Sequence, residues 1–254
     1  MGHEVGHALA EQVPFPAPAL PAHLEAYPAR GITAKWQQEL LSDAWAVFLL
    51  GPAPLLSLIE ISAHQHLASE THPCNHLRFA LMANCLRNSG FLAAEDAQVC
   101  LGWLQEHVDN AIGEAEEFQP TIVPDAAFPA FASVHEYLSA KLAAIGDFVL
   151  NRPGKYDRTV WASGMPQGDD RHSLVTRILH CTPPDSVQGS AELPHLGSIL
   201  NAGWAVHRDP DTWQEFSSQF DCTEADREYE ALKRLNQLLL KAIESTSLKR
   251  EWSQ

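Results

Sequence analysis

Positive charge is scarce in this 254-residue chain: seventeen Lys plus Arg stand against thirty-two Asp plus Glu, a formal net charge of -15. A protein that neutralises phosphates along a groove needs the opposite sign, so nucleic acid is not expected as a partner. Cysteine is also sparse. Five residues (Cys74, Cys85, Cys100, Cys181, Cys222) form no C-x-x-C pair and leave an odd thiol, which argues against both a disulfide framework and a cysteine zinc finger. They are expected as buried thiols. The start, Met1-Gly2-His3-Glu4, has neither the basic nor the apolar region of a signal peptide, so a cytoplasmic location is expected. Long apolar runs are missing too. The one uncharged stretch, residues 44–59, falls short of the roughly 20 residues a bilayer needs and is broken by Gly51-Pro52-Ala53-Pro54. It predicts two buried helices meeting at a turn rather than a membrane segment.

Core-forming residues, in contrast, are plentiful. Apolar types make up 45% of the chain and charged types 19%, and seven Trp and ten Phe are spread along it. That composition predicts a soluble globular protein of one large or two small domains. The local patterns are helical almost throughout. Trp36, Leu40, Ala44 and Phe48, flanked by Leu41 and Trp45, recur at three-and-four spacing and predict a helix over about 33–50 with a wide apolar face. Further helices are predicted over 1–13, 54–68, from Pro73 onward, and near 92–115, 130–150, 168–181, 195–208 and 224–248. The last carries a capping pattern in Thr223 and Asp226 and an apolar stripe of Leu232, Leu235, Leu239, Ala242 and Ile243. Five prolines between residues 14 and 30 favour an extended connection. The expected fold class is mainly α with little or no β-sheet: a zinc-site region over 1–90, packed with a larger helical region over 91–254.

Chemistry concentrates near the start. His3-Glu4-Val5-Gly6-His7 is an H-E-x-x-H motif. Residues four apart on a helix project from one face, so His3 and His7 can share one tetrahedral metal while Glu4 takes a proton from metal-bound water. The pattern becomes specific when a third ligand accompanies it. Glu39 and Asp43 stand one turn apart in the next predicted helix. A Glu39 oxygen can complete the ligand set and leave a fourth position open, the arrangement of a catalytic Zn2+ site. Asp43 can accept the N–H of a ligating histidine and fix its tautomer. Two acids inside an otherwise apolar helix are costly to bury without such partners.

His3-Glu4-x-x-His7 followed by Glu39-x-x-Ser42-Asp43 resembles the gluzincin class of zinc metallopeptidases. Ser69-Glu70-Thr71-His72-Pro73, leading into a helix with Arg78, is similar to the Thr-His-Pro segment of the CAAX-prenyl-protease and heat-shock-protease branch. The resemblance covers about residues 1–80 and implies peptide hydrolysis with His3, His7 and Glu39 as zinc ligands, Glu4 as general base and Asp43 orienting a ligand. The motif begins at residue 3, where gluzincins carry a preceding helix and a sheet whose edge strand holds the substrate. A peptidase region incomplete at its N-terminus, or one that has lost activity, is therefore expected.

Other readings of the same residues stay open. His3 and His7 can be partly exposed helix residues without a ligand role. His72 can donate to an oxyanion or simply pack at a helix start, and with His64, His66 and His76 it forms a cluster that can hold a second metal. Cys74 with His72 or His76 is a further nucleophile pair, with no orienting third group. Residues 95–147 hold ten acids and one base, Lys141. They predict a solvated face or a surface for a basic partner protein. That surface and the final helix support the alternative of a catalytically inactive helical interaction protein with a structural or vestigial metal site.

Overall fold

The computed structural model describes residues 32–62, 72–73, 75–88, 110, 138, 142–143, 145 and 173–252. Among the described residues all regular structure is helical, in seven helices without a strand. The chain divides into two compact units. The first contains α1 (Ile32–Leu50), α2 (Ala53–Ser62) and α3 (Asn75–Asn88); the second contains α4 (Ser173–Leu179), α5 (Leu196–Arg208), α6 (Pro210–Ser217) and α7 (Glu224–Trp252).

In the first unit α1 packs against both α2 and α3, and α2 against α3. The predicted stripe of Trp36, Leu40, Leu41, Ala44, Trp45 and Phe48 is buried. Burial extends further than one face, because every residue from Leu40 to Phe48 is enclosed, including Ser42 and Asp43. α1 is thus a central helix, consistent with its apolar circumference. It ends where Gly51 takes φ 76, a left-handed conformation that suits glycine, and the Gly51 amide closes onto the Val47 carbonyl at 2.7 Å. Pro52 then accepts the first bond of α2, so residues 44–59 form two helices around a turn, as their sequence predicts. Among the described residues no helix is long and apolar enough to cross a membrane. Opposite α1, α3 buries Leu77, Phe79, Leu81, Met82 and Leu86. It starts at Asn75, leaving Pro73 just outside the first turn, where its fixed φ costs the helix nothing. Leu138, Leu142 and Ile145, helical and spaced four and three apart, are also buried in this unit.

The second unit is held by α5, which packs against α4, α6 and α7. Its approach to α7 is close because residue 203 is glycine: a Cβ there would lie 2.5 Å from Leu239 Cδ1. The buried face of α7 differs slightly from the expected one. The deepest line runs through Ala231, Leu235, Leu238, Ala242 and Thr246, while Leu232, Leu239 and Ile243 flank it half-buried. The buried Thr246 hydroxyl donates to the Ala242 carbonyl at 2.7 Å. At the other end of α7 the expected cap forms: the Asp226 amide donates to Thr223 Oγ1, and that hydroxyl donates to Asp226 Oδ2 at 2.6 Å. One helix was not anticipated. α6 follows α5 across Asp209-Pro210, with the proline in its first turn, where a missing N–H goes unnoticed. Its Trp213 and Phe216 join a run of ring contacts from Trp204 through His207 to Phe220.

Two polar devices fix the connections. Asp185 accepts from Arg177 Nη2, Ser245 Oγ and Lys249 Nζ at 2.8 to 2.9 Å, tying the loop after α4 to the last turns of α7. Burial acts to raise the pKa of this carboxyl, but the hydrogen bonds and charges of these partners outweigh it and hold Asp185 below its ordinary range. The second device is His195, whose Nδ1 accepts the Gly197 amide at 3.1 Å and caps α5. An accepting Nδ1 requires the unprotonated ring. Burial, then the nearby Arg250 charge, lower the His195 pKa below 6.5; burial lowers that of His207 as well, against the opposing charge of Glu228. The folded state therefore binds fewer protons than the unfolded chain just below pH 6.5, so stability is complete above that value and falls as pH drops through the folded pKa. Thermal unfolding followed at pH 7.5 and 5.5 should show a lower Tm at the acid value. His195→Asn, which keeps an acceptor for Gly197 without titrating, should shrink that difference; an unchanged difference would remove the cap from the account.

Candidate functional site

α1 brings two carboxylates to adjacent turns. Glu39 is mostly buried, its side chain 12% exposed, and Asp43, deeper in the helix, is 2% exposed. Their four-residue spacing puts them on one face. The segment leading into α3 delivers two cationic or ionisable partners to that face. His72 lies before Pro73, with its side chain 54% exposed and Nε2 3.6 Å from Glu39 Oε2. Arg78, in the first turn of α3, reaches Asp43 with a two-pronged contact: Nε donates to Oδ2 at 2.7 Å and Nη2 to Oδ1 at 2.9 Å. This fork-on-carboxylate geometry is the strong form of the ion pair, and the pair is almost wholly dry, Arg78 being 11% exposed.

The charges tune their surroundings. Burial acts to lower the Arg78 pKa, but the hydrogen bond and charge of Asp43, together with the charge of Glu39, raise it above the ordinary value. Arg78 therefore remains a cation next to both acids. Asp43 in turn acts on Cys85: burial first, then the Asp43 charge, push that thiol up to about 12. A thiol so hard to ionise is no nucleophile at neutral pH. Of the five cysteines expected to be buried, Cys85 is; Cys181 and Cys222 are only half-buried, at the loop after α4 and ahead of α7. Cys181 takes φ 51 as the left-handed residue that closes α4, with the Thr182 amide bonded to the Arg177 carbonyl at 2.8 Å.

The structure thus brings together Glu39 with His72, and Asp43 with Arg78. The remaining motif residues His3, Glu4 and His7 lie outside the described residues, as do His64, His66, Cys74 and Cys100, and the side chain of His76. Among the described residues there is no group of three or more His, Cys, Asp or Glu placed to hold a metal. The donor chemistry at Glu39 nevertheless suits zinc: a carboxylate oxygen, with an imidazole nitrogen near by and an oriented second carboxylate one turn away. Each oxygen of Asp43 accepts one hydrogen bond from Arg78. The role of Arg78 as the partner of Asp43 went unread in the sequence, since 35 residues separate them. The available signal was a lone cation among Leu77, Phe79, Leu81 and Met82, a setting in which an arginine is buried only against an acid.

Comparison with known protein families, with curated proteins and with solved structures finds no match.

The ion pair makes a direct stability prediction. Removing one partner leaves an uncompensated buried charge, so Arg78→Met should cost about 3–5 kcal/mol in denaturant unfolding, whereas the double variant Asp43→Leu/Arg78→Met should fall close to wild type. If the single and double variants are equally destabilised, the penalty comes from lost packing rather than from the stranded charge.

Proposed function

We propose that this chain is a zinc-dependent, metallopeptidase-like protein of gluzincin type, with His3, His7 and Glu39 as metal ligands, Glu4 as general base and Asp43 orienting a ligand. The observation that carries this reading is the pair of acids on one buried face of α1, with Asp43 held rigidly by Arg78 and Glu39 beside His72. Acids are expensive at such positions, and a cation bound next to Glu39 gives them a purpose. A zinc ion held by His3, His7 and Glu39 would supply Lewis-acid polarisation of water and of the scissile carbonyl. Glu4 would act as general base toward the attacking water and then as proton donor to the departing amine. His72, half-exposed with Nε2 3.6 Å from Glu39 Oε2, would donate to the oxygen on which negative charge develops. The substrate is a peptide or protein, and the nearest resemblance is to the CAAX-prenyl-protease and heat-shock-protease branch.

A second reading draws on α7, where Tyr229, Leu240, Leu248 and Trp252 are exposed, the last by 86%. Apolar side chains left in water on a long helix favour an interaction protein in which the metal is structural or vestigial.

Metal analysis of the purified protein separates these readings from a chain without any metal. Wild type should carry stoichiometric zinc and Glu39→Ala should lose most of it; zinc-free wild type contradicts the metallopeptidase reading and leaves only an interaction protein with a vestigial site, and zinc retained by the variant removes Glu39 from the site. Peptide hydrolysis then distinguishes the enzyme. Glu4→Ala should lower the rate by about 10²- to 10⁴-fold with zinc retained, the range for a lost general base, whereas equal background rates favour the interaction protein.

A further inference from the structure

The connection between α4 and α5 is several times longer than the roughly 4–6 residues that usually join two elements. Its ends belong to the helices, since Cys181 closes α4 and His195 caps α5. The segment between them, residues 182–194, has no helix or strand of its own. Its amides bond close by: Asp185 to the Pro183 carbonyl, Ser190 to the Val187 carbonyl, and Gln188 to the Ser173 hydroxyl. Only Pro184 and Pro194 are buried in it, and residues 188–192 are exposed. With so little apolar anchoring, polar side chains carry the attachment.

Most of those side chains come from two turns of α7. Near one end of the segment Asp185 accepts from Ser245 Oγ at 2.8 Å and from Lys249 Nζ at 2.9 Å; at the other, Arg250 Nη2 donates to the Pro194 carbonyl at 3.0 Å. α4 adds Arg177, whose Nε donates to the Pro183 carbonyl at 2.8 Å and whose Nη2 donates to Asp185 Oδ1 at 2.9 Å. One carboxylate thus closes three contacts at once. It lies within reach of water and salt, because the side chains of Asp185, Arg177 and Lys249 are 17%, 32% and 46% exposed.

We propose that residues 182–194 are a latched strap: the Asp185 carboxylate holds them on the last turns of α7, and the strap lifts as one unit while α4 to α7 stay packed. The helices keep their own contacts when it lifts, since α5 packs directly on α4, α6 and α7. Lifting withdraws the carboxylate from Ser245, Lys249 and Arg177 and the Pro194 carbonyl from Arg250. The strap therefore gates access to the Ser245 hydroxyl, which is half-buried while the latch is closed. This device is independent of the metal-site reading.

Hydrogen exchange of the full chain, followed peptide by peptide at pH 7.5, tests it. The comparison uses wild type and Asp185→Ala, each also in about 1 M NaCl, where the Debye length shrinks to about 3 Å. Exchange over 182–194 should quicken about 10-fold in Asp185→Ala, as for the loss of hydrogen bonds to a charged group, and several-fold for wild type in salt. Peptides covering α5 and residues 224–244 should keep their wild-type rates. Salt should change Asp185→Ala little further, because the charge it screens is gone. Unchanged strap exchange in the variant overturns the proposal, since Asp185 is then no latch. Equal acceleration of the strap and α5 also overturns it, since the strap then opens only with the whole unit. If Asp185→Ala does not fold, the salt comparison on wild type decides by the same two criteria.

Discussion

Two opposite charges locked together in a dry helical interface set the terms for the first unit. Asp43 and Arg78 come from helices that the chain separates by 35 residues, and neither can be buried without the other. Their contact therefore fixes how α3 lies on α1: a shift of one residue in either helix would break both hydrogen bonds and leave a buried charge without its partner. The apolar contacts around the pair drive association, but they are tolerant of small displacements. The ion pair is not. It gives the packing of α1 and α3 a register, and with it the placement of Glu39, one turn from Asp43, and of His72, a short way ahead of α3.

The second unit meets the same need for register by different means. Asp185 gathers Arg177, Ser245 and Lys249 at a loop, where partial exposure keeps the desolvation cost low, and Gly203 lets α5 and α7 approach closely enough for small side chains to define the contact. Polar groups there close loops and caps. In the first unit the charged groups lie inside, on a face with a second carboxylate and a histidine.

Among the described residues the helical character and most helix positions were legible in the sequence, because a three-and-four apolar spacing such as Trp36, Leu40, Ala44 and Phe48 has one geometric solution; the helices expected over 1–13 and 92–115, and most of that over 130–150, lie outside the described residues. Less legible was whatever depends on distance or close approach. The buried line of α7 passes through Ala231, Ala242 and Thr246 beside the expected leucines, and the close approach of Gly203 to Leu239 joins residues far apart in sequence. α6 was missed because eight residues offer little periodicity, although Asp209-Pro210 marks its start. At the candidate site the same division holds. Glu39 and Asp43 were readable as a local one-turn pair, whereas Arg78 gained its meaning only when α3 was folded onto α1. Pair chemistry across a fold leaves no periodic trace; a buried-looking cation in an apolar helix is its single local sign.

The proposed zinc ion would be held by His3, His7 and the Glu39 carboxylate. X-ray absorption at the zinc edge of the metal-loaded protein reads that ligand set directly. The account predicts a first shell of nitrogen and oxygen only, at about 2.0–2.2 Å, with outer-shell scattering from two imidazole rings. A shell containing sulfur at about 2.3 Å, or one without imidazole scattering, would contradict it.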